Sequence, residues 1–180
     1  MAKLFLPDNT VLVNFALIHR MDLLGDLLAN KGSWCLSVAR ECSKSAAADP
    51  KFADMNDAAT IFGTPLVPDR AELVDTQTLR VSMAAPGEPV TQHLGEAETV
   101  AIISRRRIDG CFVTDDRGAR TLAVHHGITV VSTWDLLRVA HRANKVSKPV
   151  LAGYLKTLKS EGRGQPPGVV GEASFASWLR

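Results

Sequence analysis

The stretch Leu94–Leu137, LGEAETVAIISRRRIDGCFVTDDRGARTLAVHHGITVVSTWDLL, decides the fold. Its apolar spacing predicts a helix over 96–107, a turn at Asp109-Gly110 and a short buried strand, Cys111–Thr114. A helix Gly118–His126 closed by Gly127, a strand Ile128–Val131 and a helix Thr133–Asn144 follow. Short apolar strands alternating with helices call for a parallel sheet covered on both faces. The expected fold class is α/β, three layers (α/β/α) around a central, mostly parallel sheet, plus a C-terminal helical and flexible tail.

Upstream, Lys3–Leu6 reads as a buried strand ended by Pro7, with Asn9 or Thr10 capping a helix that starts at Val11. Met21–Asn30 carries Leu23, Leu24, Leu27 and Leu28 at helical spacing and is stopped by Gly32; Trp34–Leu36 reads as a strand, and Ser37 as the cap of a helix through Val38, Cys42 and Ser45. Residues 51–62 and 69–79 read as helices punctuated by Pro65 and Pro68, and 82–91 as a loop around Pro86-Gly87 and Pro89. Residues 1–145 are expected to form the main domain. Residues 146–180 are expected to hold a helix (Val150–Lys159), a Gly/Pro-rich linker over Glu161–Gly171 and a tail that frays, the alternative being an apolar hook of Phe175, Trp178 and Leu179.

At 180 residues, 46% hydrophobic and 22% charged, the chain suits one globular domain with a substantial core. Three scattered cysteines, Cys35, Cys42 and Cys111, argue for buried thiols in a reducing compartment rather than a disulfide frame or zinc site. The apolar run before Pro7 is too short for a signal peptide and Val11–Ile18 too short for a membrane span, so a cytoplasmic protein without a membrane partner is expected. The net charge of +2 divides into −5 for residues 1–100 and +7 for 101–180. A basic second half suits a polyanionic partner, and solvated helix faces explain it equally well.

The acids carry the chemistry. In open α/β sheets ligands collect at the carboxyl ends of the strands. Asp8 lies just past the first strand and Asp115-Asp116 just past Cys111–Thr114. Taken singly, each is an ordinary cap or turn residue. With Glu96 set at zero on a helical wheel, Val100 falls near about 40° and Ile103 near about 340°, so Glu96 projects from an apolar stripe. Glu98, at about 200°, falls on the outward side beside Arg105. Glu41 follows the Ser37 cap by one turn. Carboxylates gathered at strand ends can hold a hard divalent cation against a phosphate.

These residues form an ordered set that resembles the PIN-domain nucleases, a family that includes the VapC-type toxins of VapBC toxin–antitoxin pairs. The matching pieces are LFLPDNTVL (4–12), LSVARE (36–41), LGEAETVAI (94–102), VTDDRGAR (113–120) and GITVVST (127–133). Pro7 before Asp8 departs from the pattern, and 50–93 and 149–180 fall outside the match. The resemblance implies Asp8, Glu96 and Asp116 as ligands of Mg²⁺ or Mn²⁺, with Glu41 and Asp115 completing a catalytic set. Thr10 and Thr133 take the positions of polar residues near the site, and Arg117 and Arg120, with Arg105–Arg107, are candidate phosphate contacts. The implied activity is endoribonucleolytic hydrolysis of RNA, by a toxin restrained by a small antitoxin protein or by a stand-alone RNA-processing enzyme. A homodimer could use the Val11–Ile18 and Leu23–Leu28 stretches, although core burial is their ordinary use. A receiver-like phosphoacceptor would need an acidic pair after the first strand, and a haloacid-dehalogenase-like phosphatase an Asp-x-Asp; Asp8-Asn9-Thr10 is neither. A non-catalytic RNA- or protein-binding module would have no need of the full acid set.

Overall fold

Three short parallel strands form the centre of the protein. A computed structural model describes residues 3–180. Strands β1 (Leu4–Pro7), β2 (Gly110–Val113) and β3 (Thr129–Val131) lie in the order β1-β2-β3. The register sets Pro7 beside Val113 and Val113 beside Val131, so all three strands end along one edge. Asp8, Asp115-Asp116 and Thr133 follow immediately beyond it. Along each strand the side chains alternate: Leu6, Phe112 and Val130 enter one core, and Phe5, Val113 and Val131 the other.

Helices cover both faces, giving the three-layer α/β/α arrangement. In chain order they are α1 (Asn9–Leu17), α2 (Met21–Leu28), α3 (Leu36–Ala48), a 3-10 stretch (Pro50–Asp57), α4 (Ala58–Phe62), α5 (Arg70–Met83), α6 (Leu94–Arg106), α7 (Arg117–His125), α8 (Thr133–Arg142), α9 (Lys148–Ser160) and α10 (Glu172–Leu179). The larger core draws on α1, α2, α3, α8, α9 and α10, and the smaller on Val100, Ile103, Ala119, Ala123 and Ile128 against Leu6 and Phe112. Helix α5 runs along α6, tied to it by Glu72 with Arg106 and Asp75 with Arg105.

Several local expectations are revised. Pro7 does not end β1 but is its last paired residue, a place where a missing N–H costs the ladder little. Asp8, rather than Asn9 or Thr10, caps α1. Trp34–Leu36 forms no strand: the segment contributes a single isolated bridge, Cys35 to Leu66, with another from the preceding Gly32 to Phe5. Helix α3 accordingly begins at Leu36, and Ser37 lies inside its first turn instead of capping it. Helix α2 ends at Leu28, with Ala29 and Asn30 in the left-handed region, before Gly32 is reached.

The C-terminal segment does not stand off as a flexible linker. Arg163 reaches α1, Val169 is buried, and the hook forms: Phe175 is buried and stacks on Trp178 at 6.1 Å, with Leu179 against the same core. The Val11–Ile18 and Leu23–Leu28 stretches are not dimer surface, because Val11, Leu12, Phe15, Leu17, Leu23, Leu24 and Leu28 are all core. All three cysteines are buried and free. Among the described residues no helix is long and apolar enough to cross a membrane.

Candidate active site

The first acid is fixed where β1 hands over to α1. Asp8 is 1% exposed. Its Oδ1 accepts from Asn9 N at 2.7 Å, and its Oδ2 from Thr10 Oγ1 at 2.7 Å and Thr114 Oγ1 at 3.3 Å. Burial pushes its pKa above the usual carboxylate value even though these donors favour the charge. The residue is a helix cap and a pocket acid at once.

Two further acids face the same hollow, of about 530 Å³: Glu41 from α3 and Glu96 from the first turn of α6, with Thr10, Arg40 and Lys44 on its walls. Burial, then the Asp8 carboxylate and then Glu96, push Glu41 up to about 7. Burial, then Asp8, with a smaller contribution from Asp116, push Glu96 up to about 7. Asp116 caps α7, its Oδ1 accepting from Ala119 N at 2.7 Å. Four carboxylates from distant parts of the chain therefore share one electrostatic field. Helices α3 and α6 approach closely here because position 95 is glycine: a Cβ on Gly95 would lie 3.1 Å from both Glu41 carboxylate oxygens.

Asp115 is held differently. Its Oδ1 accepts from Thr133 N at 2.9 Å and its Oδ2 from Asn14 Nδ2 at 2.8 Å. Thr133 is fully buried, and its Oγ1 accepts from Asn14 Nδ2 at 3.1 Å. It braces Asp115 and presents no surface to a ligand. Arg117 and Arg120 are exposed on α7, and Arg117 lines a second hollow that shares His93 with the first.

Glu98 does not face outward. It is 4% exposed, and its carboxylate accepts from Ser37 N at 2.9 Å and Ser37 Oγ at 2.7 Å. The wheel failed because α6 is buried on every side from Ala97 to Ile103, leaving no outward stripe. Arg105 and Arg106 are likewise not free for phosphate. They lie at the far end of α6 from Glu96 and are committed to Asp75 and Glu72.

Residues 5–173 match the family model described as a PIN domain. The chain belongs to the PIN-domain family. No curated protein and no solved structure matched it. PIN domains are a nuclease fold whose members are usually nucleases, generally with a divalent metal and RNA as substrate. In this PIN domain the match extends through α9 and into α10, well beyond the five motifs legible in the sequence.

The donor set fits a hard cation. Every candidate is an oxygen; burial raises Asp8, and burial followed by the neighbouring carboxylates raises Glu41 and Glu96, a cost of buried negative charge that a divalent ion would relieve. Among the described residues no three His, Cys, Asp or Glu side chains close into a ready-made cage.

Sequence reasoning missed several residues of the site. Arg40 and Lys44, one helical turn apart on α3, bring cations to an acidic hollow, and their spacing around Glu41 was a usable signal. Asn14 was visible as a polar residue inside an apolar run, a position that demands partners. His93 sits at φ 62°, in the left-handed region, with Nδ1 3.8 Å from Glu96 Oε1 and Nε2 3.3 Å from Glu88 Oε2. No sequence signal marked His93 or Arg163.

Proposed function

We propose that this PIN domain is a divalent-metal-dependent endoribonuclease. The observation that carries the reading is the convergence of Asp8, Glu41 and Glu96 on one hollow, where burial first and then their mutual repulsion raise Glu41 and Glu96, with a smaller contribution from the Asp116 charge on Glu96. Asp8, Glu96 and Asp116 would hold Mg²⁺ or Mn²⁺. When bound, the ion would supply Lewis-acid stabilisation of the phosphate charge and would ease deprotonation of the attacking water. Thr10 Oγ1 and Thr114 Oγ1 keep the Asp8 carboxylate aimed. Glu41 orients the attacking water and accepts its proton at a carboxylate oxygen. Arg40, Lys44, Arg117 and Arg120 bind the RNA backbone around the acids.

The finer reading is the toxin of a type II pair, held silent by a small antitoxin protein; the ordered resemblance to VapC-type motifs supports it. The activity is tested with wild type and Asp8→Asn on RNA in Mg²⁺ and Mn²⁺. Cleavage by wild type, abolished by chelation and by the substitution, is expected, and equal turnover by Asp8→Asn overturns the reading. The toxin setting is tested by expression in bacteria, with growth arrest relieved by co-expression of a short neighbouring gene.

A further inference from the structure

The left-handed Gly162 (φ 72°) ends α9, with Gly162 N donating to Lys159 O at 3.1 Å and Arg163 N to Leu158 O at 2.8 Å. This closure turns the chain back on itself and sends the Arg163 side chain to α1. There its Nε donates to Asn14 Oδ1 at 2.6 Å and its Nη2 to Thr10 O at 3.2 Å. Asn14 is 1% exposed, so its amide depends on protein partners.

An amide has one accepting and one donating end, whereas a guanidinium only donates. Arg163 can therefore meet only Asn14 Oδ1, which directs Nδ2 to the opposite side. There Nδ2 donates to Asp115 Oδ2 and Thr133 Oγ1. Arg163 and Asp115 select the same orientation from opposite ends, and without Arg163 the buried Asn14 Oδ1 loses its donor and half of that selection is gone. A flipped amide would set its oxygen against the Asp115 carboxylate, acceptor against acceptor. Asp115 is joined directly to Asp116, whose charge bears on Glu96.

We propose that Arg163 is a positioning residue of the acidic site, acting on Asp115 through the Asn14 amide. The C-terminal segment thereby takes part in a site whose acids all lie before residue 117. The consequence for turnover rests on the nuclease reading; the amide arrangement stands independently of it.

The test uses the full chain, ¹⁵N-labelled, with Arg163→Met and Arg163→Lys. Arg163→Met is expected to shift the Asn14 side-chain NH₂ resonances and to speed their exchange with water about tenfold, with Arg163→Lys intermediate. On RNA, Arg163→Met is expected to lower kcat about tenfold with KM within about twofold, and Asn14→Ala to show the same kcat alone or combined with Arg163→Met. Unchanged NH₂ signals overturn the inference. So do losses that multiply in the double variant, or a rise in KM at constant kcat, which would mark Arg163 as a direct phosphate contact. Should Arg163→Met fail to fold, Arg163→Lys decides on the same readouts. A wild type that cleaves no RNA removes the nuclease reading, while the Asn14 NH₂ signals still decide whether Arg163 orients the amide.

Discussion

The Glu41 carboxylate occupies the space that a side chain at residue 95 would need. A Cβ on Gly95 would meet both Glu41 oxygens at 3.1 Å and Val38 Cγ2 at 3.0 Å. Gly95→Ala gains about 0.5–1 kcal/mol of helix propensity in α6, yet it must push Glu41 or α3 aside. Melting within a few degrees of wild type is expected, because the two effects oppose each other. RNA cleavage is expected to fall about tenfold or more, since small misplacements in a catalytic site carry large penalties. Full activity in this variant would show that Glu41 has no positional role.

Glu98 and Glu96 are two residues apart and do different work. Glu98 closes the Ser37 N–H and hydroxyl inside the protein, whereas Glu96 faces the acid hollow. Glu98→Ala leaves two buried donors, the Ser37 N–H and hydroxyl, without their acceptor and is expected to cost about 2–4 kcal/mol in urea unfolding. Glu98→Gln, which keeps one accepting oxygen, is expected to cost less. Glu96→Gln is expected to abolish cleavage with little or no loss of stability. Should Glu98→Ala unfold at the wild-type urea concentration, the bracing role assigned to Ser37 and Glu98 is wrong.

The same contrast shows what was legible in the sequence. Helices α7 and α8 follow from periodicity because each buries one clear face, and strands β2 and β3 from short apolar runs whose side chains enter both cores; Asp8 and Asp116 are singled out by the rule that strand ends carry ligands, and Glu96 by its place in an apolar stripe. Glu98 could not be placed, because a wheel assigns an outward side to a helix that is in fact enclosed. The stretch 161–171, rich in Gly and Pro, has the composition of a linker; only the tertiary contact of Arg163 with α1 reveals that it packs. Trp34–Leu36 has strand-like residues, but its neighbours permit single bridges only. The misses share one cause: partners that are far apart in the chain.

Glu72 offers a stability test outside the site. It completes the capping box of α5 and receives both Nε and Nη2 of Arg106 at 2.7 Å. Glu72→Ala removes the box and leaves Arg106 without its carboxylate. A loss of about 1–3 kcal/mol is expected, read by urea unfolding at neutral pH, with RNA cleavage per folded molecule unchanged. A parallel fall in specific activity would tie α5 to the chemistry.

The pH dependence of stability separates the two sets of acids. Glu41 and Glu96 rise from 4.5 to about 7 in the folded protein, so between those values the native state holds more protons than the unfolded chain. With more protons bound in the native state, stability falls as pH rises through that window and levels above it. The contribution lost is on the order of 3 kcal/mol for the mutually repelling set. Glu72, held below its usual range first by Arg106, acts with the opposite sign: its contribution is present above 4.5 and fades as pH falls through its lowered value. In metal-free protein, the double variant Glu41→Gln/Glu96→Gln is therefore expected to gain stability over wild type as pH is raised from 5 towards 8, measured by thermal melting against pH. Added Mn²⁺ should raise the melting temperature of wild type at pH 8 and leave the double variant nearly unmoved, because the ion relieves the repulsion those carboxylates create. Identical melting profiles for the two proteins would mean that Glu41 and Glu96 do not share a charged hollow.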